Sequence, residues 1–330
     1  FINKMIYRLA LIKVKLGTKG NFYDKGIFCE NELFQILEKK LKNDKFEKVI
    51  VTGGPFSLPY YLAKWKSIFE YNLVSDLRDP WTQGELYGIK TISKKRYDEE
   101  RRREKLVIEK SDVIFVAGAL MKRQYSKTYS NQLEKITVLP HGYNEHEFNK
   151  TVVKTEKLIK TWIYGGTLYP ESYEHYKLLF KYIDSIKSRL KLDIYNRGTA
   201  LRFEKYEGVS FKNLIDPKSF NKVCQESDAF VWFFPEKFKD FFTTKLYELI
   251  RSQIPIIYIG FEGTFSEFIV KNNLGIYINA NSLKEEVCLI EKKLTNLKYN
   301  TKFPIEDYEI SNLADLIVNK NCSPRVIGSN

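Results

Sequence analysis

Short apolar runs and amphipathic stretches alternate along most of this chain. Val49-Ile50-Val51-Thr52 is a continuous run closed by Gly53-Gly54-Pro55, which predicts a buried strand and a turn. A helix is predicted from Ser57 to Trp65, a strand from Tyr71 to Ser75, and a long charged helix over Lys94 to Lys110. Strand Val113–Val116, helix Leu120–Thr128 and strand Ile136–Leu139 follow, the last stopped by Pro140. After a polar, aperiodic segment from Tyr143 to Lys160, a second series begins. It runs through strand Trp162–Tyr164, helix 172–187, strand Leu192–Tyr195, helix 217–226 and strand Phe230–Phe234. A helix opening near Thr243 and Thr244, strand Ile256–Ile259, helix 265–272 and strand Ile276–Ile278 complete the alternation. Ser282 with Glu285 reads as a capping box for a helix over 282–296, and a last helix covers about 306–319. Strands alternating with helices build a parallel sheet covered on both faces. The expected fold class is therefore α/β, with two doubly wound, Rossmann-like domains, residues 1–150 and 151–330.

Two amphipathic helices precede the first strand. Leu33, Ile36, Leu37 and Leu41 mark one of them. In the other, Ile2, Met5, Ile6, Leu9, Ile12 and Leu16 recur at near-helical spacing, with Lys4, Arg8, Lys13, Lys15 and Lys19 between them. That pattern suits a helix covering the sheet of its own domain, or one lying on an anionic membrane surface. Lys and Arg number 54 against 41 Asp and Glu, for a net charge of +13. Such an excess favours anionic partners, nucleotide phosphates or an anionic membrane face among them. No nucleic-acid-binding module is recognisable, so nucleic acid is not an expected partner. No apolar run approaches the ~20 residues of a membrane-spanning helix. Cys29, Cys224, Cys288 and Cys322 are scattered, without a Cys-x-x-Cys pair, which points to the reducing cytoplasm and no structural zinc.

Candidate chemistry concentrates in Asp240 to Gly260. Thr243 and Thr244 suit a helix N-cap, and Leu246, Leu249 and Ile250 form one apolar face. A helix N-terminus that follows a strand turns free N–H groups toward an anion. Asp240 and Glu248 form an Asp-x7-Glu pair that can bracket a ligand, and a carboxylate readily accepts two sugar hydroxyls. The plain alternative is a solvated acid on an amphipathic helix. The stretch resembles the donor-binding motif of retaining GT-B glycosyltransferases of family 4, in which Glu-x7-Glu precedes a small-residue, glycine-containing turn. Here Asp240 takes the first acid's place and Ser252-Gln253-Ile254-Pro255 replaces the turn. Gly165-Gly166-Thr167 resembles the glycine turn of the same family, where backbone N–H groups approach a diphosphate. Many members carry a cation soon after it, where this chain has Pro170-Glu171-Ser172. Arg197, then Lys245, are the candidates to stabilise the leaving diphosphate. No Asp-x-Asp triplet in a metal-binding context occurs, so neither a metal nor a cofactor beyond the nucleotide-sugar substrate is implied.

Thr52 to Trp81 resembles a bacterial branch of family 4 that builds lipopolysaccharide, capsule or exopolysaccharide. Its marks are a Gly-Pro turn leading to Ser57, then Asp76-Leu77-Arg78-Asp79-Pro80-Trp81. The resemblance implies that Asp79 and Arg78 line the cleft from the acceptor side, with Gly54, Ser57 and His141 nearby and Trp81 offering a sugar-stacking face. The alternative is a structural Arg–Asp pair closing a loop. Val138 to Asn144 resembles the segment ending the acceptor domain, with His141 and Asn144 as departures. Gly142 is expected to take positive φ there, and His141 reads as a hydrogen-bonded loop residue or a catalytic one.

The resemblance spans about residues 25–320. It implies a GT-B transferase moving a sugar from a nucleotide donor to a glycan or polyprenyl-linked acceptor, with retention and no covalent nucleophile. Glu248 then binds donor hydroxyls and Asp240 orients the sugar. The family's first β–α unit is expected to be missing. Expected locations are the cytoplasm and the inner face of the plasma membrane. Two rivals stand beside this reading: a sugar-nucleotide epimerase of the same fold, against which a total of three His speaks, and a non-catalytic scaffold.

Overall fold

The computed structural model of the protein describes residues 2–18, 22, 24–44, 46–84, 86–149, 157–198 and 201–318. Two compact units form, the first extending to Pro140 and the second beginning at His141. In the first, α1 (Ile2–Thr18) and α2 (Glu30–Asn43) precede β1 (Lys48–Thr52), α3 (Ser57–Trp65) and β2 (Asn72–Leu77). Then come α4 (Lys94–Lys110), β3 (Val113–Val116), α5 (Ala119–Thr128) and β4 (Ile136–Val138). The strands pair in the order β1-β2-β3-β4, all parallel. Leu73, Leu77, Ile114 and Val116 are fully buried because helices cover both faces, and this is why the central strands read as unbroken apolar runs. At the β1 edge the cover is thinner, and Ile50 is exposed.

The second unit holds β5 (Lys160–Gly165), α6 (Tyr173–Ser185), β6 (Leu190–Asn196), β7 (Val209–Asn213) and α7 (Pro217–Glu226). It continues with β8 (Ala229–Phe233), α8 (Thr244–Arg251), β9 (Ile256–Gly260), α9 (Thr264–Lys271) and β10 (Gly275–Asn279). Helices α10 (Leu283–Glu286), α11 (Ile290–Thr295) and α12 (Ile310–Val318) close it. The parallel strand order is β10-β9-β8-β5-β6-β7. The chain moves outward from β5 to β7, then returns to the other side of β5 to lay down β8. A reversal of this kind opens a crevice at the carboxyl ends of β5 and β8, where open α/β sheets take their ligands.

Several expectations change. β7 was not among the expected strands: Val209 and Phe211 alternate with Ser210 and Lys212 over too short a run, and Ser210 to Asn213 are exposed at a sheet edge. The two units part at Pro140 and His141, ahead of the expected boundary at 150 and 151. The cause is local: the Tyr143 N–H donates to Tyr308 O at 3.0 Å, the Ile310 N–H donates to Tyr143 O at 3.0 Å, and Arg251 Nε donates to Glu145 at 2.6 Å. Residues 150–156 of the expected linker lie outside the described residues. Gly142 does not take positive φ; its role is close approach, because a Cβ there would run into the Tyr308 carbonyl. The 282–296 helix is broken into α10 and α11, and the Ser282 hydroxyl donates to Glu286 instead of capping. In α1, Met5, Ile6, Leu9, Ile12 and Leu16 are each more than half exposed, so this helix does not bury them against a sheet. Lys19 lies outside the described residues. No helix among the described residues is long and apolar enough to cross a membrane.

Candidate functional site

The second unit's crevice is built from two strand ends and one helix. β5 ends at Gly165, and Gly166 takes φ +141°, a region that L side chains rarely adopt. Its N–H donates to Tyr195 O at 3.0 Å, while the Tyr164 hydroxyl donates to Thr167 O at 2.5 Å, so the glycine turn is tied at both ends. The ring of Phe220 from α7 lies where a side chain at Gly165 would go. From β8 the chain loops into α8, whose N-cap is Thr243 in extended conformation. The Thr243 hydroxyl makes no capping bond. The first-turn N–H groups, those of Thr244 and Lys245 included, therefore lack an intrahelical acceptor.

Lys245 reaches from that first turn to the glycine turn. Its Nζ donates to Gly165 O and lies 5.5 Å from the Phe220 ring centroid and 6.0 Å from that of Phe230. Burial lowers its pKa below the ordinary lysine value, with Glu248 and then Cys224 working the other way. Glu248, one turn on, has its pKa raised by burial, opposed by Lys245 and assisted by Glu147. A cation held in an aromatic seat, unspent helix N–H groups and a carboxylate one turn behind can together hold a diphosphate and neighbouring hydroxyls.

The other candidates of this unit sit differently. Asp240 Oδ1 accepts from the Thr264 N–H at 2.8 Å and the Thr264 hydroxyl at 3.0 Å, so it caps α9. Arg197 is exposed beyond the end of β6; the cation bonded to the glycine turn is Lys245. His141 is half-buried at the start of the unit.

In the first unit the Asp76–Trp81 loop is braced from beneath. Arg78 donates to Leu139 O at 3.0 Å, to Pro140 O at 3.1 Å and to Asp76 at 3.3 Å. Burial raises the Asp76 pKa, with Arg78 opposing. The Asp79 carboxylate lies 3.9 Å from where a Cβ on Gly54 would stand, and Gly54 has φ +76°. Two expectations are corrected here. Trp81, expected to present a face to a sugar, is 1% exposed. It stacks on Phe56 at 4.9 Å, and its indole N–H donates to Glu100 at 2.9 Å. Ser57, expected on the acceptor side, is buried, its N–H and hydroxyl bonded to Asp24 at 2.6 and 3.0 Å. Beside Trp81, buried Glu104 accepts from the Thr82 N–H at 3.1 Å, Tyr125 at 2.9 Å and Tyr129 at 2.8 Å. The signal for these acids was present: Glu100, Glu104, Val107 and Ile108 share one helical face, which marks the carboxylates as inward.

No family model and no curated protein matches the chain. Solved structures do. The lipopolysaccharide outer core galactosyltransferase WaaB, apo form, is similar with a TM-score of 0.59 and 16% identity, over 90% of this chain and 82% of that one. Anabaena HepE in complex with UDP and glucose has a TM-score of 0.58 and 12% identity, over 89% and 82%. A chain of the GtfA/B complex has a TM-score of 0.57 and 16% identity, over 90% of this chain but only 60% of its own length. A putative UDP-N-acetylglucosamine 2-epimerase from Listeria monocytogenes is also similar, with a TM-score of 0.52 and 10% identity over 91% and 81%. The fold is the two-unit α/β fold of GT-B glycosyltransferases.

Proposed function

We propose that the protein is a glycosyltransferase that binds a nucleotide-sugar through its second unit and passes the sugar to a glycan or polyprenyl-linked acceptor. The observation that carries this is the Lys245 amine bonded to Gly165 O at the reversal of the sheet, with Glu248 one turn behind it. The donor diphosphate rests on the Gly165–Thr167 turn and the N–H groups of Thr243, Thr244 and Lys245. Lys245 neutralises the charge that grows on the diphosphate as the glycosidic bond breaks. Glu248, ionised, accepts hydroxyl hydrogen bonds from the donor. Asp240, which holds the start of α9, orients the sugar in this reading. Retention follows if the acceptor attacks the face that the leaving phosphate vacates, with that phosphate taking the acceptor's proton; no covalent nucleophile enters. Asp79, steadied by the Arg78 brace, serves the acceptor side. WaaB, a lipopolysaccharide outer core galactosyltransferase, supports a pathway of cell-surface glycans, and HepE, seen with UDP and glucose, supports a nucleotide-sugar donor.

The test is calorimetric titration with UDP, GDP and dTDP, then incubation with the sugar nucleotide whose diphosphate binds. Absence of binding by any of them sinks the donor site. Conversion of the sugar without transfer favours the epimerase reading, which the Listeria neighbour supports. Peripheral membrane attachment belongs to the same proposal, since the exposed apolar residues of α1 lie among exposed Lys4 and Arg8. Binding to anionic vesicles should weaken toward 1 M salt, where the screening length falls to ~3 Å. Binding indifferent to salt and to Lys4→Gln with Arg8→Gln removes that clause.

A further inference from the structure

One buried acid of the first unit has no place yet in the proposed chemistry. Glu104, on the inner face of α4, is fully buried. Five donors converge on its carboxylate: the Thr82 N–H at 3.1 Å, the Thr82 hydroxyl, Gln83 Nε2 at 3.0 Å, Tyr125 at 2.9 Å and Tyr129 at 2.8 Å. All five are neutral groups, whereas Glu100, one turn earlier, pairs with Arg96 at 2.5 Å. A buried charge is a poor way to stabilise a fold, since well-packed apolar residues of similar volume do as well or better. What the carboxylate adds is direction. Both of its oxygens take charge-assisted bonds, where a glutamine would offer one oxygen and turn N–H groups on the remaining donors.

These bonds land on one short stretch of chain. Tyr125, which donates to Glu104, also accepts the Trp81 N–H at 3.2 Å, and the Thr82 N–H goes to Glu104 itself. Thr128 of α5 holds Gln83 from the other side at 2.8 Å. The backbone that follows Pro80 is thereby fixed to α4 and α5. Ahead of it, Arg78 is fixed to the carbonyls of Leu139 and Pro140. Asp79 and Pro80 are the two residues between these anchors, and the Pro80 ring locks its own φ. The Asp79 carboxylate stands beside Gly54. We infer that Glu104 is a positioning residue, which sets through Thr82 and Tyr125 where the Asp79 carboxylate meets the acceptor. This rests on the reading of Asp79 as an acceptor-side residue given above. A misplacement of about 1 Å can cost roughly 100-fold in rate, and a reacting group keeps its place only when its supporting shell is itself locked.

Glu104→Gln keeps the volume and removes the charge and one acceptor oxygen. In the full chain, calorimetry reads the affinity for UDP, GDP and dTDP. Release of the diphosphate from the sugar nucleotide that binds, with alkyl glucosides and galactosides offered as acceptors, reads turnover. Glu104→Gln should lower kcat about 100-fold while nucleotide affinity, set in the second unit, stays within about twofold. The same change in an Asp79→Asn background should add less than about threefold, because residues that act as one unit are not additive. Where Glu104→Gln loses its melting transition, Tyr125→Phe, which cuts the link to the Trp81 N–H, takes its place; loss of the transition in both makes Glu104 a structural acid and overturns the proposal. Equal losses with and without Asp79, or turnover unmoved by Glu104→Gln, overturn the positioning role and leave the transferase standing. An Asp79→Asn chain as active as the parent removes the acceptor-side role of Asp79 and this proposal with it. A parent that turns over no bound sugar nucleotide overturns the transferase reading as well.

Discussion

Replacing Lys245 by Met separates a functional lysine from a structural one, because the two readings give opposite pairs of results. Met keeps the length and apolar stem and removes the charge. If Lys245 meets the diphosphate, the variant loses a charge-assisted bond of about 1.5–3 kcal/mol, which weakens nucleotide affinity roughly 10- to 150-fold. Stability moves the other way. The Lys245 pKa is lowered in the folded protein, chiefly by burial, so the folded state resists binding this proton. The charge therefore opposes folding at neutral pH, and the stability it costs returns as pH rises through the folded value toward the unfolded one. Against that gain stands the lost bond to Gly165 O, and Glu248 left without its partner. Glu248→Gln in the same chain removes the second cost. The double variant should stay within about 1 kcal/mol of the parent, a melting shift of ~2–4 °C for a unit the size of the second one. Calorimetry reads the affinity and differential scanning fluorimetry the melting. Undiminished affinity together with a collapse of several kcal/mol would refute the assignment and make Lys245 a structural strut.

Four further outcomes follow from the structure. Nucleotide affinity should trace a bell against pH narrower than the ordinary Glu and Lys values of ~4.3 and ~10.4 set, since Glu248 is raised and Lys245 lowered; Glu248→Gln should flatten the acid limb and Lys245→Arg the alkaline limb, and limbs unmoved by both acquit the pair. The same raised Glu248 stabilises the fold fully below ~4.3 and loses that contribution as pH climbs through its folded value. Trp81→Ala should cost about 3–5 kcal/mol in urea unfolding, as befits a buried indole on Phe56; a cost under 1 kcal/mol with acceptor affinity lost would restore the sugar-stacking role. Gln253 sits at φ 52°, so Gln253→Gly should raise stability by up to about 1 kcal/mol by relieving a left-handed side-chain residue, and a lower melting point would contradict this.

What could be read from the residues, and what could not, divides along one physical line. Apolar period gave the strands and helices wherever both faces of an element are covered, as in β2, β3, β8 and β9. It missed β7, an exposed edge strand whose alternation is confined to Val209 and Phe211. Motif spacing brought Asp240 to Glu248 into view, but the bond from Lys245 to Gly165 O, across 80 residues, was not legible. That contact exists because β8 pairs with β5, and no local pattern encodes which strands become neighbours. Trp81 and Ser57 failed for a related reason. Their motif marks where a loop is, while their burial depends on partners elsewhere in the chain: Phe56 stacks on the indole expected to face a sugar, Glu100 takes its N–H, and Asp24 takes the Ser57 hydroxyl.

The Ser252–Pro255 turn lacks the glycine of the motif it resembles, yet its backbone takes a conformation that glycine favours. A glycine in such a turn is there because the backbone must pass through positive φ between helix and strand. Gln253 holds φ 52° at that place, its N–H bonded to Ile250 O at 3.0 Å, and the Ile254 N–H reaches Leu249 O at 3.4 Å. The turn closes α8 in the left-handed conformation and delivers Ile256–Ile259 to the sheet in register with Phe230–Phe233. Glu248 keeps its place relative to β8 and β9 because the backbone carries the constraint that the letter Gly only signals. The sequence departure therefore weighs against stability, by up to about 1 kcal/mol, and not against the proposed donor site.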